Sequence, residues 1–166
     1  MVALAAASML VAAAAYDPVT ALAGRYSQHF RNGLMDGTSY WSDDVVEVVP
    51  VDPTHAYLRI ETNFFNGQSC SLAGVAVSER DALVYREPDH FHDGKRCVLT
   101  MRREGGRLRF DDGENSCTQH CGVRGSLSRG ELPWKSRRPI TYLARLRSSE
   151  EYRDALAEWR GMDTQQ

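Results

Sequence analysis

The chain has 166 residues, a formal net charge of −2 and charged side chains at 25% of positions. That length suits one ordinary domain with a substantial buried core. Near-neutrality excludes a field strong enough to recruit nucleic acid or an anionic membrane surface unaided.

The first stretch, Met1 to Ala15, is apolar and alanine-rich, and Ala21-Leu22-Ala23 supplies the small-x-small pattern read by leader peptidases. The expectation is a signal peptide over 1–23 with cleavage before Gly24, followed by a single domain over 24–166. No Lys or Arg precedes Arg25, a departure from the usual basic start of a leader. Tyr16, Asp17 and Pro18 break the apolar run short of the ~20 residues a membrane span needs. No cysteine lies near the cleavage point, so neither a membrane-spanning nor a lipid anchor is expected. The protein reads as periplasmic or secreted.

Past the leader, alternating segments separated by turn residues predict an antiparallel all-β domain. The predicted strands are Tyr26 to Arg31, Ser39 to Val51, Ala56 to Phe64, Ser69 to Ser78, Ala82 to Arg86, Arg96 to Arg103, Arg107 to Asp111, Gly122 to Ser128 and Ile140 to Leu146. Asn32-Gly33, Asp36-Gly37, Asp52-Pro53, Asn66-Gly67, Gly105-Gly106 and Asp112-Gly113 supply the turns between them. The fold class is therefore a β-barrel, or a barrel-like sandwich, of about eight strands.

Two hairpins fix register. A two-residue turn at Gly105-Gly106 pairs Met101 with Phe110 and puts Leu99, Met101, Leu108 and Phe110 on one face, with Cys97. At Asn66-Gly67 a three-residue turn with a glycine bulge sets Cys70 opposite Thr62, on the inward face of Leu58 and Ile60, whereas a two-residue turn would turn it outward. The three-residue turn is expected.

At the C-terminus Ser148-Ser149-Glu150-Glu151 has the form of a capping box, predicting a helix over 148–160. Tyr152, Ala155, Leu156 and Trp159 form its apolar stripe, leaving Arg153, Asp154 and Arg160 in water.

Cys117-x-x-x-Cys121, with His120 between the cysteines and His90 and His92 nearby, offers thiolate and imidazole donors for a metal such as zinc. The spacing is not that of paired zinc knuckles, so disulfides are expected in an exported chain, with no cofactor. Four cysteines allow three pairings, of which Cys70 with Cys97 and Cys117 with Cys121 is the expected one. The following Cys121-Gly122-Val123-Arg124-Gly125 holds an arginine between two glycines. Arg124 either pairs internally with Asp111, Asp112 or Glu114 or grips an acidic partner with its planar fork.

The succession Cys70, Cys97, Cys117-x-x-x-Cys121-Gly-x-Arg-Gly, spanning Gly24 to about Leu146, resembles small secreted bacterial β-barrel proteins of the periplasmic lysozyme-inhibitor type. That resemblance implies a barrel that plugs a lysozyme cleft with a loop bearing Ser and Tyr, for which Gly37-Thr38-Ser39-Tyr40 is the nearest segment.

No Ser or Cys nucleophile sits in a recognisable elbow, so a non-enzymatic module is expected. It would bind an envelope protein through Tyr40, Trp41 and Arg124. The alternatives are a barrel holding a small apolar ligand and a metal-dependent enzyme built on His90 and His92.

Overall fold

The structure is a computed structural model describing residues 16–88 and 95–163. Eight strands follow one another: β1 (Gly24–Gly33), β2 (Ser39–Pro50), β3 (His55–Asn63), β4 (Ser69–Glu79), β5 (Ala82–Arg86), β6 (Val98–Glu104), β7 (Arg107–Asp111) and β8 (Gly130–Pro133). Each pairs antiparallel with its chain neighbour, giving an up-and-down meander curled into a nearly closed barrel. At the seam, Arg25 and Arg138 exchange backbone hydrogen bonds of 2.9 and 2.8 Å, and the Ser27 N–H donates to Ser136 Oγ at 3.1 Å.

Alternation along the strands builds the interior. Tyr26, Val46, Val48, Leu58, Ile60, Leu72, Leu83, Leu99, Met101, Leu108, Phe110 and Leu132 all join one buried cluster. Two inward positions are glycine because an aromatic ring occupies the space. A Cβ at Gly74 would overlap the Tyr85 ring, and one at Gly130 the Phe110 ring. A short helix, α1 (Pro18–Leu22), adds Val19 and Leu22 to this cluster. Asp17 caps it by accepting from the Val19 N–H at 2.9 Å, and Pro18 occupies the first turn, where no N–H is needed.

Two more helices, α2 (Leu143–Arg147) and α3 (Glu150–Asp163), lie outside the barrel. Leu146, Tyr152 and Ala155 pack with Val49 and Tyr57 in a second cluster. Beneath them Glu47, fully buried, accepts from Arg59 Nη1 at 3.1 Å and from the Tyr142 hydroxyl. Arg59 also reaches Glu61 and, at 3.0 Å, Glu151 of α3, so one guanidinium ties two strands to the helix.

The barrel, both hairpin registers and the C-terminal helix agree with the sequence reading: Met101 faces Phe110, and Thr62 faces Cys70. Asn66 and Gly67 take positive φ of 61° and 69° to close the three-residue turn between β3 and β4.

Four expectations are corrected. Gly122 to Ser128 is not a strand; its first residues form a tight turn with Gly125 N–H donating to the Gly122 carbonyl at 2.8 Å, and the eighth strand is Gly130–Pro133. Ile140 to Leu146 is not a strand either, because Ile140, Leu143 and Leu146 recur every third residue, a helical spacing that serves α2. The C-terminal helix begins at Glu150 and not Ser148: Ser149 Oγ accepts from the Tyr152 N–H at 3.2 Å, while Ser148 Oγ donates back to the Arg145 carbonyl at 2.8 Å.

The fourth correction concerns the disulfides, which join Cys70 to Cys121 and Cys97 to Cys117. Register explains the difference. Ala76 faces Tyr85, which carries Glu87 to the level of Gly74, and Glu87 donates its N–H to the Cys97 carbonyl at 2.9 Å. Cys97 therefore lies further along β4 than Cys70 and out of its reach. All four cysteines are oxidised, which indicates an oxidising, extracytoplasmic compartment. Among the described residues no helix is long and apolar enough to cross a membrane.

Candidate functional site

The meander sorts its connections between the two ends of the barrel. Short turns after β2, β4 and β6 lie at one end, where α1 also sits. At the opposite end are the turns after β1 and β3, the long segments after β5 and β7, and both disulfides.

This second end carries the candidate site. The β1–β2 and β3–β4 turns are tied together: the Met35 N–H donates to Asn66 Oδ1 at 3.3 Å, and the Gly67 N–H to the Tyr40 hydroxyl at 3.1 Å. The Phe65 ring lies over Gly33. Next to them the 118–126 loop is fastened by the Cys70–Cys121 bond and by the Gly122 N–H, which donates to the Ser69 carbonyl at 2.8 Å. Gly122 and Gly125 fit this position because a Cβ on the first would meet the Gln68 side chain and one on the second the Cys70 sulfur. The tip of the turn is Val123 and Arg124; Val123 is 99% exposed.

The sequence-derived binding residues fall into place unevenly. Tyr40 and the Arg124 loop are linked through the 67–69 backbone, so they share the rim. Trp41, the next residue of β2, faces the outer wall, where it stacks on His29 at 4.6 Å with an interplanar angle of 10°. His29 in turn contacts Asp43 at 2.9 Å. Arg124 is exposed, and among the described residues it has no carboxylate partner. Its expected internal acids are otherwise engaged: Asp112 accepts from the Cys117 N–H at 3.0 Å and from Ser128, and Asp111 accepts from the Gly113 and Arg129 N–H groups, each at 3.2 Å.

Sequence reasoning missed Met35 and Phe65. Both flank turn-forming residues, Asp36-Gly37 and Asn66-Gly67, and a large apolar side chain beside a turn signal is the clue that would have found them. Met35 is 72%, Trp41 65% and Phe65 50% exposed.

Inside the rim the chemistry turns polar. Asn32, buried, donates to the Phe64 carbonyl at 2.9 Å and to Ser42 Oγ at 3.2 Å. Asp44 accepts from the Asn63 N–H at 2.7 Å, and its partial burial pushes its carboxyl above the ordinary carboxylate range despite that bond.

The metal reading meets a different arrangement. Glu87, Cys97 and His120 present donor atoms within 4.8 Å of one another, but Cys97 is bonded to Cys117 and offers no thiolate. Glu87 is buried and accepts from Gln119 Nε2 at 2.6 Å, while His120 Nε2 lies 2.9 Å from its other oxygen. This carboxylate anchors the loop between the disulfides. His90 and His92 lie outside the described residues.

As for a ligand-holding interior, the inward side chains fill it: Tyr26, Leu58, Ile60, Leu99, Met101 and Phe110 are each no more than 2% exposed. A cleft of about 370 Å³ lies on the outer wall instead, bordered by Arg102, Glu104, Arg109 and Arg129, with both Arg102 and Arg109 held by Glu104.

Fold and site together define an up-and-down antiparallel barrel whose disulfide-tied loop end presents an arginine turn. No protein-family model, curated protein or solved structure matches the chain.

Proposed function

We propose that the protein is an exported binding module that engages another protein of the cell envelope through its loop end, with a lysozyme-like hydrolase as the partner class. The observation that carries this reading is the clustering of exposed apolar side chains. Of the five large apolar residues exposed among the described residues, Met35, Phe65 and Val123 lie on loops at the end of the barrel that carries the Arg124 turn, and Trp41 stands on the outer wall of β2 beside Tyr40. Exposed apolar surface on the same barrel end as an anchored arginine is the composition of a protein-binding hot spot.

The chemistry narrows the partner. A guanidinium with no carboxylate partner among the described residues, on a turn fixed at both flanks, suits a carboxylate in a cleft, and glycoside hydrolases carry paired carboxylates at the cleft base. In this reading Arg124 enters the cleft, Val123 and Tyr40 line its wall, and Met35 and Phe65 cover the rim. No covalent chemistry is required of the module. The expected test result is inhibition of lysozyme-catalysed cell-wall hydrolysis by the purified domain, lost in the Tyr40→Ala/Arg124→Ala double variant. Equal inhibition by that variant, or none by the native protein, counts against the reading.

A further inference from the structure

We propose that the export leader is cut between Ala15 and Tyr16, so that α1 remains as a permanent plug of the mature barrel. This inference rests on the export reading above. Small-x-small triplets close the apolar run, with Ala13-Ala14-Ala15 the last of them, and the pattern recurs at Ala21-Leu22-Ala23, so a leader peptidase is satisfied at either position. The fold distinguishes them.

Cutting after Ala23 would remove Val19 and Leu22, which are 1% and 0% exposed in the main core. The buried Tyr26 hydroxyl would lose its acceptor, the Leu22 carbonyl at 2.9 Å. Arg137 would lose the Ala23 carbonyl, to which its Nε donates at 2.7 Å. Cutting after Ala15 removes none of these groups. It leaves Asp17 to cap α1 and Tyr16 half exposed at the new terminus.

The position has a functional consequence. α1 sits at the short-turn end of the barrel, so the freed amino group emerges away from the Arg124 turn and adds no charge to the binding rim.

Intact mass and N-terminal sequencing of the protein recovered from the envelope of a secreting bacterial host, expressed with its own leader, test this directly. The expected chain begins at Tyr16, and the Ala13→Asp/Ala15→Asp variant yields no product with that start. A chain beginning at Gly24 overturns this inference while leaving export intact; a chain retaining Met1 in the cytosol overturns both. As a check on the plug itself, Leu22→Ala in the processed protein should lower Tm by roughly 10 °C. An unchanged Tm would show that α1 is dispensable and remove the argument for the upstream site.

Discussion

Cys70 and Cys121 are joined twice, by their disulfide and by an antiparallel bridge between their backbones. The bond spans 51 residues of chain, so the segment carrying Arg124, which belongs to no strand, is nevertheless fixed to the barrel wall. Binding through a loop gains when the loop is held before the partner arrives, because less freedom is lost on association.

Removing that bond should therefore act on stability and on binding together. Cys70→Ser/Cys121→Ser is expected to cost about 4 kcal/mol in urea unfolding, against about 3 kcal/mol for Cys97→Ser/Cys117→Ser, whose loop of 20 residues is shorter. The first variant, still folded, should also bind its partner more weakly than the second. Equal binding by both would mean that the tether does not position the site.

Gly74 faces Leu58 across the β3–β4 pair and lies under the Tyr85 ring. Gly74→Ala is expected to destabilise by about 1–3 kcal/mol through overpacking. Combining it with Tyr85→Leu should recover part of that loss, since the ring is the obstacle. Calorimetric unfolding of the single and double variants reads this out.

Glu47 is buried beneath α2, and Arg59 is its cationic partner. Arg59→Met leaves that carboxylate without its guanidinium and should cost about 3 kcal/mol, whereas Glu47→Leu/Arg59→Met together should lose far less. The comparison by chemical denaturation also tests the helix, because Arg59 contacts Glu151; partial fraying of α3 should accompany the single variant in amide exchange.

Asp44 provides a pH signature. Burial raises its carboxyl pKa in the folded state, so the native state holds this proton more tightly than the unfolded chain, and stability falls as pH rises through the window above the ordinary aspartate value of about 3.9. Asp44→Asn, which keeps an acceptor for the Asn63 N–H, should be more stable than the native protein at pH 7 and lose that advantage below about pH 3.5. Urea midpoints at the two pH values check the sign.

The parts of the fold legible from sequence were those where alternation and turn chemistry agreed. Leu99, Met101, Leu108 and Phe110 flank a two-glycine turn, and both signals point to one register. The eighth strand escaped because Gly130-Glu131-Leu132-Pro133 contains two turn formers and a single inward apolar side chain, Leu132. α1 was hidden by resemblance to a leader, since Val19 and Leu22 look like any apolar residues after an alanine run. Disulfide pairing depends on how far along β4 each cysteine falls, a three-dimensional distance that spacing in the chain does not contain. Of the site, Arg124 and Tyr40 were visible as an arginine between glycines and a turn-flanking aromatic; Met35 and Phe65 stand beside turn signals too, but that the two turns lean on each other is a tertiary contact absent from the sequence.

Amide hydrogen exchange of the processed protein, alone and saturated with a lysozyme-like partner, tests the account most directly. Slowed exchange over residues 34–40, 64–68 and 120–126, with α2 and α3 unchanged, is the expected result. Protection confined to the outer helices or to the β6–β7 wall, with the Arg124 turn exchanging as in the free protein, would contradict it.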